Sequence, residues 1–497
     1  MRFTRLFTGP AKKAWAVFDD RTGLGQVLSH QLSHPVPNTT GWVGWSYAIG
    51  SAVLVAFILQ VVTGVVLATA YVPSTEDAYD SLMYITDQAT LGSFLRGLHN
   101  YGAWAMIIFI GLHVIQTYLV GAYKFPREAN WLSGAVLLLL TLVLAFTGQL
   151  LRWDQTAYWS TYVLAAQVER TPIIGDRLAD LALAGDTVGG ATLTRFYAIH
   201  VFFVPALVFM FIGFHLWLVL HTGVSEPPQA GRPVDPKTYR AWYQKYLERN
   251  GVPFWPDAAW RDVVLGVGMV AAVAALAIIV GPPELENPPD PTVLQAYPRP
   301  DWYFLWIFAA LAVVPPALED LVILGAPAIF GALLVFLPFF ANKGERSPKR
   351  RPWAIAIVMI AVIMVGTLYV AGERAPWSPY VDQPQLPVEV VAAPEKRALV
   401  AQGAQFYYQK GCQACHRMGN WGGLYGPNLT NVHERLSHEQ IVISIINGRG
   451  GGMPAYAGNL TQQQVNAIVA FLEAEKVQRG EGEPPRDAGE VGAQAED

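Results

Sequence analysis

Seven apolar runs of about 20 residues dominate the chain, at 45–71, 101–122, 131–151, 197–221, 263–281, 321–341 and 353–371. A helix of roughly 20 residues at 1.5 Å per residue covers about 30 Å, the thickness of bilayer hydrocarbon. In lipid each backbone N–H and C=O must be satisfied within its own segment, so the runs restrict the chain to an all-α bundle. Composition agrees: 14% of residues are charged, 53% are hydrophobic and mean hydropathy is +0.29. A further apolar stretch, 302–315, is too short to span and reads as an interfacial or re-entrant helix buried in protein. The net charge of −4 offers no basic surface for nucleic acid. Residues 1–25 are basic and polar, without the apolar core of a cleavable signal peptide.

Lys and Arg are distributed unevenly between the two sides. The amino-terminal segment and the loops after the second, fourth and sixth runs hold 18, and the other three loops hold six. The positive-inside rule therefore places the amino terminus in the cytoplasm. An odd number of spans then puts everything after residue 372 outside. That tail starts as a Pro-rich linker (377–394), continues as a soluble domain (395–480) and ends in a Gly/Glu/Ala-rich segment (481–497) expected to be disordered.

Four of the ten histidines lie in apolar spans: His99 and His113 in the second, His200 and His215 in the fourth. Spacings of fourteen and fifteen residues put each pair about 21–22 Å apart and near one helix face. Two helices offering histidines at matching depths create two bis-imidazole sites, one near each membrane surface. Low-spin heme iron suits such sites, whereas zinc needs more ligands. Gly50 and Gly64 in the first span, and Gly134 and Gly148 in the third, repeat the fourteen-residue spacing. A missing side chain lets a flat macrocycle approach the backbone. Arg96 and Arg195, about one turn outside His99 and His200, are candidates for pairing heme propionates.

These residues resemble cytochrome b of the cytochrome bc complexes, the quinol:cytochrome c (or plastocyanin) oxidoreductases. Gln60-Val-Val-Thr-Gly64, Arg96-Gly-Leu-His99, Leu193-Thr-Arg-Phe196 and Phe254-X-Pro256 running to Arg261-Asp262 extend the resemblance. Seven spans and the fifteen-residue spacing are similar to the form in which a four-helix cytochrome b and a three-helix subunit are separate chains, here joined as 1–230 and 231–376. The resemblance implies that His99 and His200 hold an outer, low-potential heme b and His113 and His215 an inner, high-potential one. It also implies a Rieske iron–sulfur partner, since this chain has no cluster ligands of its own, and a homodimeric complex. The split form often carries a covalent third heme through a Cys in the first span. The matching position reads Tyr47-Ala48, so none is expected.

Pro300-Asp301-Trp302-Tyr303 resembles the family's Pro-Glu-Trp-Tyr motif at the outer quinol-oxidation site, which implies that Asp301 takes a quinol proton with Tyr303 beside it. A carboxylate in an apolar site has raised proton affinity and can do so. The resemblance associates the Asp variant with low-potential quinones such as menaquinone. Where the family reads Leu-Pro-Trp after the third span, this chain has Leu151-Arg152-Trp153, which is expected to alter the entry of an outer surface helix. Asp262 and His221 are the candidates for an inner quinone site.

Cys412-Gln-Ala-Cys415-His416 contains the chain's only two cysteines and is the heme c attachment pattern: two thiols for the vinyl groups and a histidine for the iron. A zinc knuckle or redox dithiol are the alternatives. Gly426-Pro427-Asn428-Leu429, then Met453 between glycines and Pro454, then a helix ending near Lys476, resemble a monoheme cytochrome c with Met453 as sixth ligand. His433 and His438 are rival ligands. The expectation is a seven-helix transmembrane cytochrome b bundle followed by a small extracytoplasmic all-α cytochrome c domain. It would hold two hemes b and one covalent heme c, and deliver electrons to a soluble cytochrome c or copper protein. The competing functions are a b-heme membrane anchor for a dehydrogenase and a histidine-relay transporter.

Overall fold

All seven apolar runs are helices long enough to cross a bilayer in the computed structural model, which describes residues 9–184, 188–289, 299–315, 318–374, 388–419, 426–449, 453, 455–456 and 460–478. The spans are Gly41–Ala68, Gly92–Leu119, Glu128–Leu150, Gly190–Thr222, Phe254–Ile279, Leu321–Phe340 and Pro352–Glu373. The second begins nine residues before the apolar run does, because Arg96, His99 and Asn100 interrupt the apolar pattern without interrupting the helix. The short stretch forms the helix Trp302–Val313, packed on the seventh span where Gly372 admits the Leu305 side chain. Most of the expected linker (377–387), the 481–497 tail and the immediate neighbours of Met453 lie outside the described residues.

The first and second spans pack together and the fifth packs on both, with Gly97 against Ala277 and Gly266 against Val55. Small residues allow such approach where lipid removes any hydrophobic drive between helices. The shared core includes Phe57, Leu98, Met106, Val208, Met269 and Val273. The third span packs against the fourth and the sixth. Outside the third span, Asp154 accepts from the Ala157 N–H at 2.9 Å and starts the surface helix Gln155–Glu169. The family's proline is absent here, and Arg152 instead forms an ion pair with the fully buried Asp154 and donates to the Glu284 carbonyl.

At one end of the bundle, buried cations from two loops, the one after the second span and the one after the sixth, cap the carbonyl ends of three spans. Arg351 and Arg346 donate to the carbonyls of Tyr118, Leu119 and Val120 at the end of the second span. Arg127 donates to Gly223, beyond the fourth, and Lys124 to Ala341 and Lys343, beyond the sixth. Cations at helix C-termini complement the macrodipole and satisfy orphan carbonyls. Burial pushes the Lys124 amine down to about 8, and Arg351 and Arg346 add to it. Glu226 is the carboxylate of this cluster, paired with Arg346 and accepting from the Tyr239 hydroxyl at 2.6 Å.

Two short antiparallel pairs depart from an all-helical reading. Pro35–Pro37 pairs with Gly251–Pro253. Val388–Val391, within the segment read as linker, pairs with Glu475–Gln478, so the last helix, Gln462–Glu473, stops before Lys476. In the C-terminal domain, Arg397–Gln409 crosses Gln462–Glu473 so closely at Gly403 that a Cβ there would meet the Ala467 carbonyl. Tyr407, Met418, Ile441, Val465 and Phe471 fill the core, and Ser437 and Thr461 cap the two helices that complete it.

Candidate functional site: paired histidines, an outer carboxylate and a thiol-lined crevice

The four span histidines each face one of the four glycines of the neighbouring helix. A Cβ at Gly64 would lie 3.1 Å from His99 Cε1, one at Gly50 3.1 Å from His113 Cε1, one at Gly148 2.7 Å from His200 Cε1, and one at Gly134 3.5 Å from His215 Cε1. The glycines thus make room for the imidazoles themselves, a closer role than admitting a macrocycle.

Three of the four rings are oriented by a hydroxyl on the residue before the glycine. His99 Nδ1 is 2.9 Å from Thr63 Oγ1, His215 Nδ1 is 2.8 Å from Ser133 Oγ, and His200 Nδ1 is 3.1 Å from Thr147 Oγ1. Each hydroxyl donates its own proton to a helix carbonyl, Leu59, Asn130 and Val143 respectively. The ring nitrogen must therefore be the donor, which leaves Nε2 bare for a metal. The sequence carried this signal in the dipeptides Thr63-Gly64, Ser133-Gly134 and Thr147-Gly148, which spacing of histidines alone did not reveal.

The fifteen-residue interval in the fourth span has a structural explanation. His200 sits in a single π-helical turn, Ile199–Phe203, which absorbs one extra residue. That brings His200 and His215 to the spacing of His99 and His113. The ring centroids of His99 and His200 are 6.4 Å apart. A metal bonded at about 2 Å to one nitrogen of each ring demands about 6.3 Å, so the His99–His200 pair fits an iron between two imidazoles. His113 and His215 are electrostatic neighbours at the other level of the bundle.

Arg96 is buried and donates to Thr86 Oγ1 and, at 2.7 Å, to the Pro283 carbonyl; Arg195 donates to the Leu181 carbonyl. Both guanidiniums thus have protein partners. Asp262 lies near Ser51 and Arg261, while His221 is exposed and stacked on Trp217, and no hydrogen bond joins Asp262 to His221.

Asp301 precedes the helix Trp302–Val313 without capping it with its side chain. Its carboxylate instead accepts from the Tyr303 hydroxyl at 2.7 Å, and its N–H donates to Gln149 Oε1 at 3.4 Å. Burial raises the Asp301 carboxyl above its ordinary value; the Tyr303 hydrogen bond and the positive charge of Arg152 oppose the rise, and Asp154 adds to it. Sequence reasoning did not single out Gln149, and it noted Arg152, one turn on at the end of the third span, only as standing where the family has a proline.

In the C-terminal domain Cys412, Cys415, His416 and Met453 line one cavity of about 640 Å³, within the range of cofactor sites, which Trp159, Tyr162 and Phe308 of the membrane domain also border. His416 Nδ1 is 2.9 Å from the Pro427 carbonyl, fixing the ring with Nε2 free, and Gly426 packs on its face. Met453, in the lining of the same cavity, is held by two backbone hydrogen bonds with Arg449. Neither His433 nor His438 lines the cavity, and His438 bonds Glu473 on the surface. Burial pushes the Cys412 thiol up to about 12 and the Cys415 thiol to about 11, so neither has the thiolate character of a redox dithiol. Among the described residues no group of three or more His, Cys, Asp or Glu converges as a metal site. The residues fit a covalent heme with His and Met ligands.

Paired histidines between four membrane helices, with a thiol-attachment crevice in an appended domain, define a multi-pass membrane electron-transport protein of the heme-binding class. The family model described as Cytochrome b/b6/petB matches residues 34–223, and that described as Cytochrome b(C-terminal)/b6/petD matches 288–386. Cytochrome b of Rhodospirillum rubrum is 31% identical over 360 residues, covering 70% of this chain and 82% of that protein. The chain belongs to the cytochrome b/b6 family. Cytochrome b6 of Heliobacterium modesticaldum is 38% identical over 205 residues, 41% of this chain and 95% of that protein. Residues 398–472 match the model described as Cytochrome C oxidase, cbb3-type, subunit III, so a cytochrome c domain follows the membrane part. A solved structure titled Hyperthermophilic respiratory Complex III is 25% identical with a TM-score of 0.62, covering 73% of this chain and 91% of that one.

Proposed function

We propose that the chain is the cytochrome b subunit of a quinol-oxidising bc-type complex, with its electron-exit cytochrome c domain fused to it. The observation that carries this reading is the half-buried Asp301–Tyr303 pair, tied to Gln149, the residue after the Gly148 on which His200 packs: a proton acceptor near an electron acceptor is what quinol oxidation requires. Likeness to the Complex III structure supports a multi-subunit assembly that handles quinone. Hemes at His99/His200, His113/His215 and Cys412/Cys415/His416/Met453 would supply one-electron carriers on both sides of the membrane.

Asp301, ionised, accepts a quinol proton, and Tyr303 holds the carboxylate in place for it. Gln149 anchors the loop backbone, and Arg152 favours the ionised form while securing Asp154. At the inner side Asp262 and His221 are the residues available to donate protons to a quinone. A separate Rieske protein takes one electron to the c domain, and a soluble cytochrome c or copper protein receives it there. The amino terminus lies in the cytoplasm and the c domain outside. Domain limits are taken as 1–230, 231–376 and 395–480, with a homodimer as the assembly. A dehydrogenase anchor needs no hydrogen-bonded carboxylate–tyrosine pair, and a histidine-relay transporter needs no thiol-lined crevice.

Asp301→Asn tests the reading, because it keeps size and polarity but cannot accept a proton. Quinol oxidation by the purified complex should slow severely with heme content unchanged, and Asp301→Glu should keep substantial activity with a shifted pH profile. Asn turning over near the wild-type rate would remove Asp301 from the mechanism.

A further inference from the structure

Four histidines occupy the same kind of niche, but one lacks what the others have. The dipeptides facing His99, His215 and His200 begin with a hydroxyl residue, and that hydroxyl oxygen accepts a hydrogen bond from the Nδ1 N–H. The dipeptide facing His113 is Ile49-Gly50. Its geometry is nearly that of Thr63-Gly64, fourteen residues on: a Cβ at Gly50 would lie 3.1 Å from His113 Cε1 and 3.4 Å from Nδ1, and one at Gly64 3.1 and 3.7 Å from the same atoms of His99. His113 Nδ1 is buried and has no hydrogen-bond partner among the described residues.

We propose that Ile49 sets the potential difference between the two bis-histidine sites, because by withholding a hydroxyl it leaves His113 the weakest electron donor of the four ligands. An N–H that donates to oxygen shifts electron density toward the opposite ring nitrogen, strengthens its bond to ferric iron and lowers the reduction potential. At the outer site both ligands are so strengthened, by Thr63 and Thr147; at the inner site only His215 is, by Ser133. The inner site is thereby the more oxidising, and an electron entering from the quinol side moves inward downhill. Ile49 is a positioning residue by omission, and the inference rests on the heme assignment proposed above.

The test is a potentiometric titration of the b-heme absorbance in the purified full chain, with heme content measured beside it. Ile49→Thr should lower the inner midpoint and leave the outer one in place; Ile49→Val should move neither. In the converse arm Thr63→Val should raise the outer midpoint, narrowing the gap from the other side. Both hemes present with unmoved midpoints in Ile49→Thr and Thr63→Val would overturn the inference alone. An unaltered chain holding fewer than two b hemes would instead refute the assignment beneath it.

Discussion

Adding one methyl group at two glycines of the same helix should have unequal consequences for heme binding. Gly148→Ala places a Cβ 2.7 Å from His200 Cε1, 3.2 Å from Nε2 and 3.3 Å from Nδ1. Reaching ordinary contact requires the ring to retreat by about 0.7 Å, yet Thr147 holds its Nδ1 at 3.1 Å. Overpacking of this kind costs about 1–3 kcal/mol, which is roughly 5- to 150-fold in affinity at 1.4 kcal/mol per decade. Gly134→Ala meets His215 Cε1 at 3.5 Å, an ordinary contact that costs nothing. Alanine's better helix propensity, worth at most about 1 kcal/mol, favours both variants and cannot separate them. The pyridine hemochrome ratio of b to c heme in the washed, purified protein reads the outcome, with the covalent heme as internal standard. Gly148→Ala should fall from two toward one, losing the low-potential component, while Gly134→Ala stays at two. A full b complement in Gly148→Ala, or loss in Gly134→Ala alone, would show that these glycines do not accommodate the ligating rings.

Acid-acetone extraction of the unaltered protein should remove two hemes b and leave one heme on the polypeptide; a second covalent heme would contradict the reading of Tyr47-Ala48. Met453→Ala should lower the c-heme midpoint without detaching the group, since thioether ligation favours the reduced form, and an unchanged midpoint would redirect attention to another ligand. Asp301 accepts a proton only when ionised and its carboxyl is raised, so the acid limb of quinol oxidation should lie above the ordinary carboxylate range, with rate falling as pH falls. Arg152→Gln removes a charge that opposes the rise and should move that limb to higher pH, which Arg152→Lys should largely prevent.

The spans, the histidine ladder and the Cys-X-X-Cys-His crevice were legible because each rests on a local period or spacing. The start of the second span was not, since Arg96 and His99 look like a membrane boundary to any hydropathy window although the helix runs through them. The π turn at His200 left only an odd spacing as its trace. The pairing of Val388–Val391 with Glu475–Gln478 joins segments more than 80 residues apart, and four-residue strands carry too little pattern to announce a partner. The hydroxyl partners of the histidines lay in plain sight beside each glycine, yet became meaningful only once the rings were seen against them.

The loop lysines and arginines that served to orient the chain also impose an order on its biogenesis. Arg127 reaches the end of the fourth span from within the first four, so that end can be sealed as soon as those helices have left the translocon. The second span's carbonyls wait for Arg346 and Arg351, made more than 220 residues later, and the sixth span's for a Lys124 already in place. A nascent or truncated product ending after the fourth span would thus carry a membrane helix with bare carbonyls and a Glu226 without its Arg346. Removing one member of a buried ion pair typically costs about 3–5 kcal/mol. The loop between the sixth and seventh spans, which carries Arg346 and Arg351, therefore ties the two halves of the chain together at this end of the bundle by supplying both the second span's caps and the partner of Glu226.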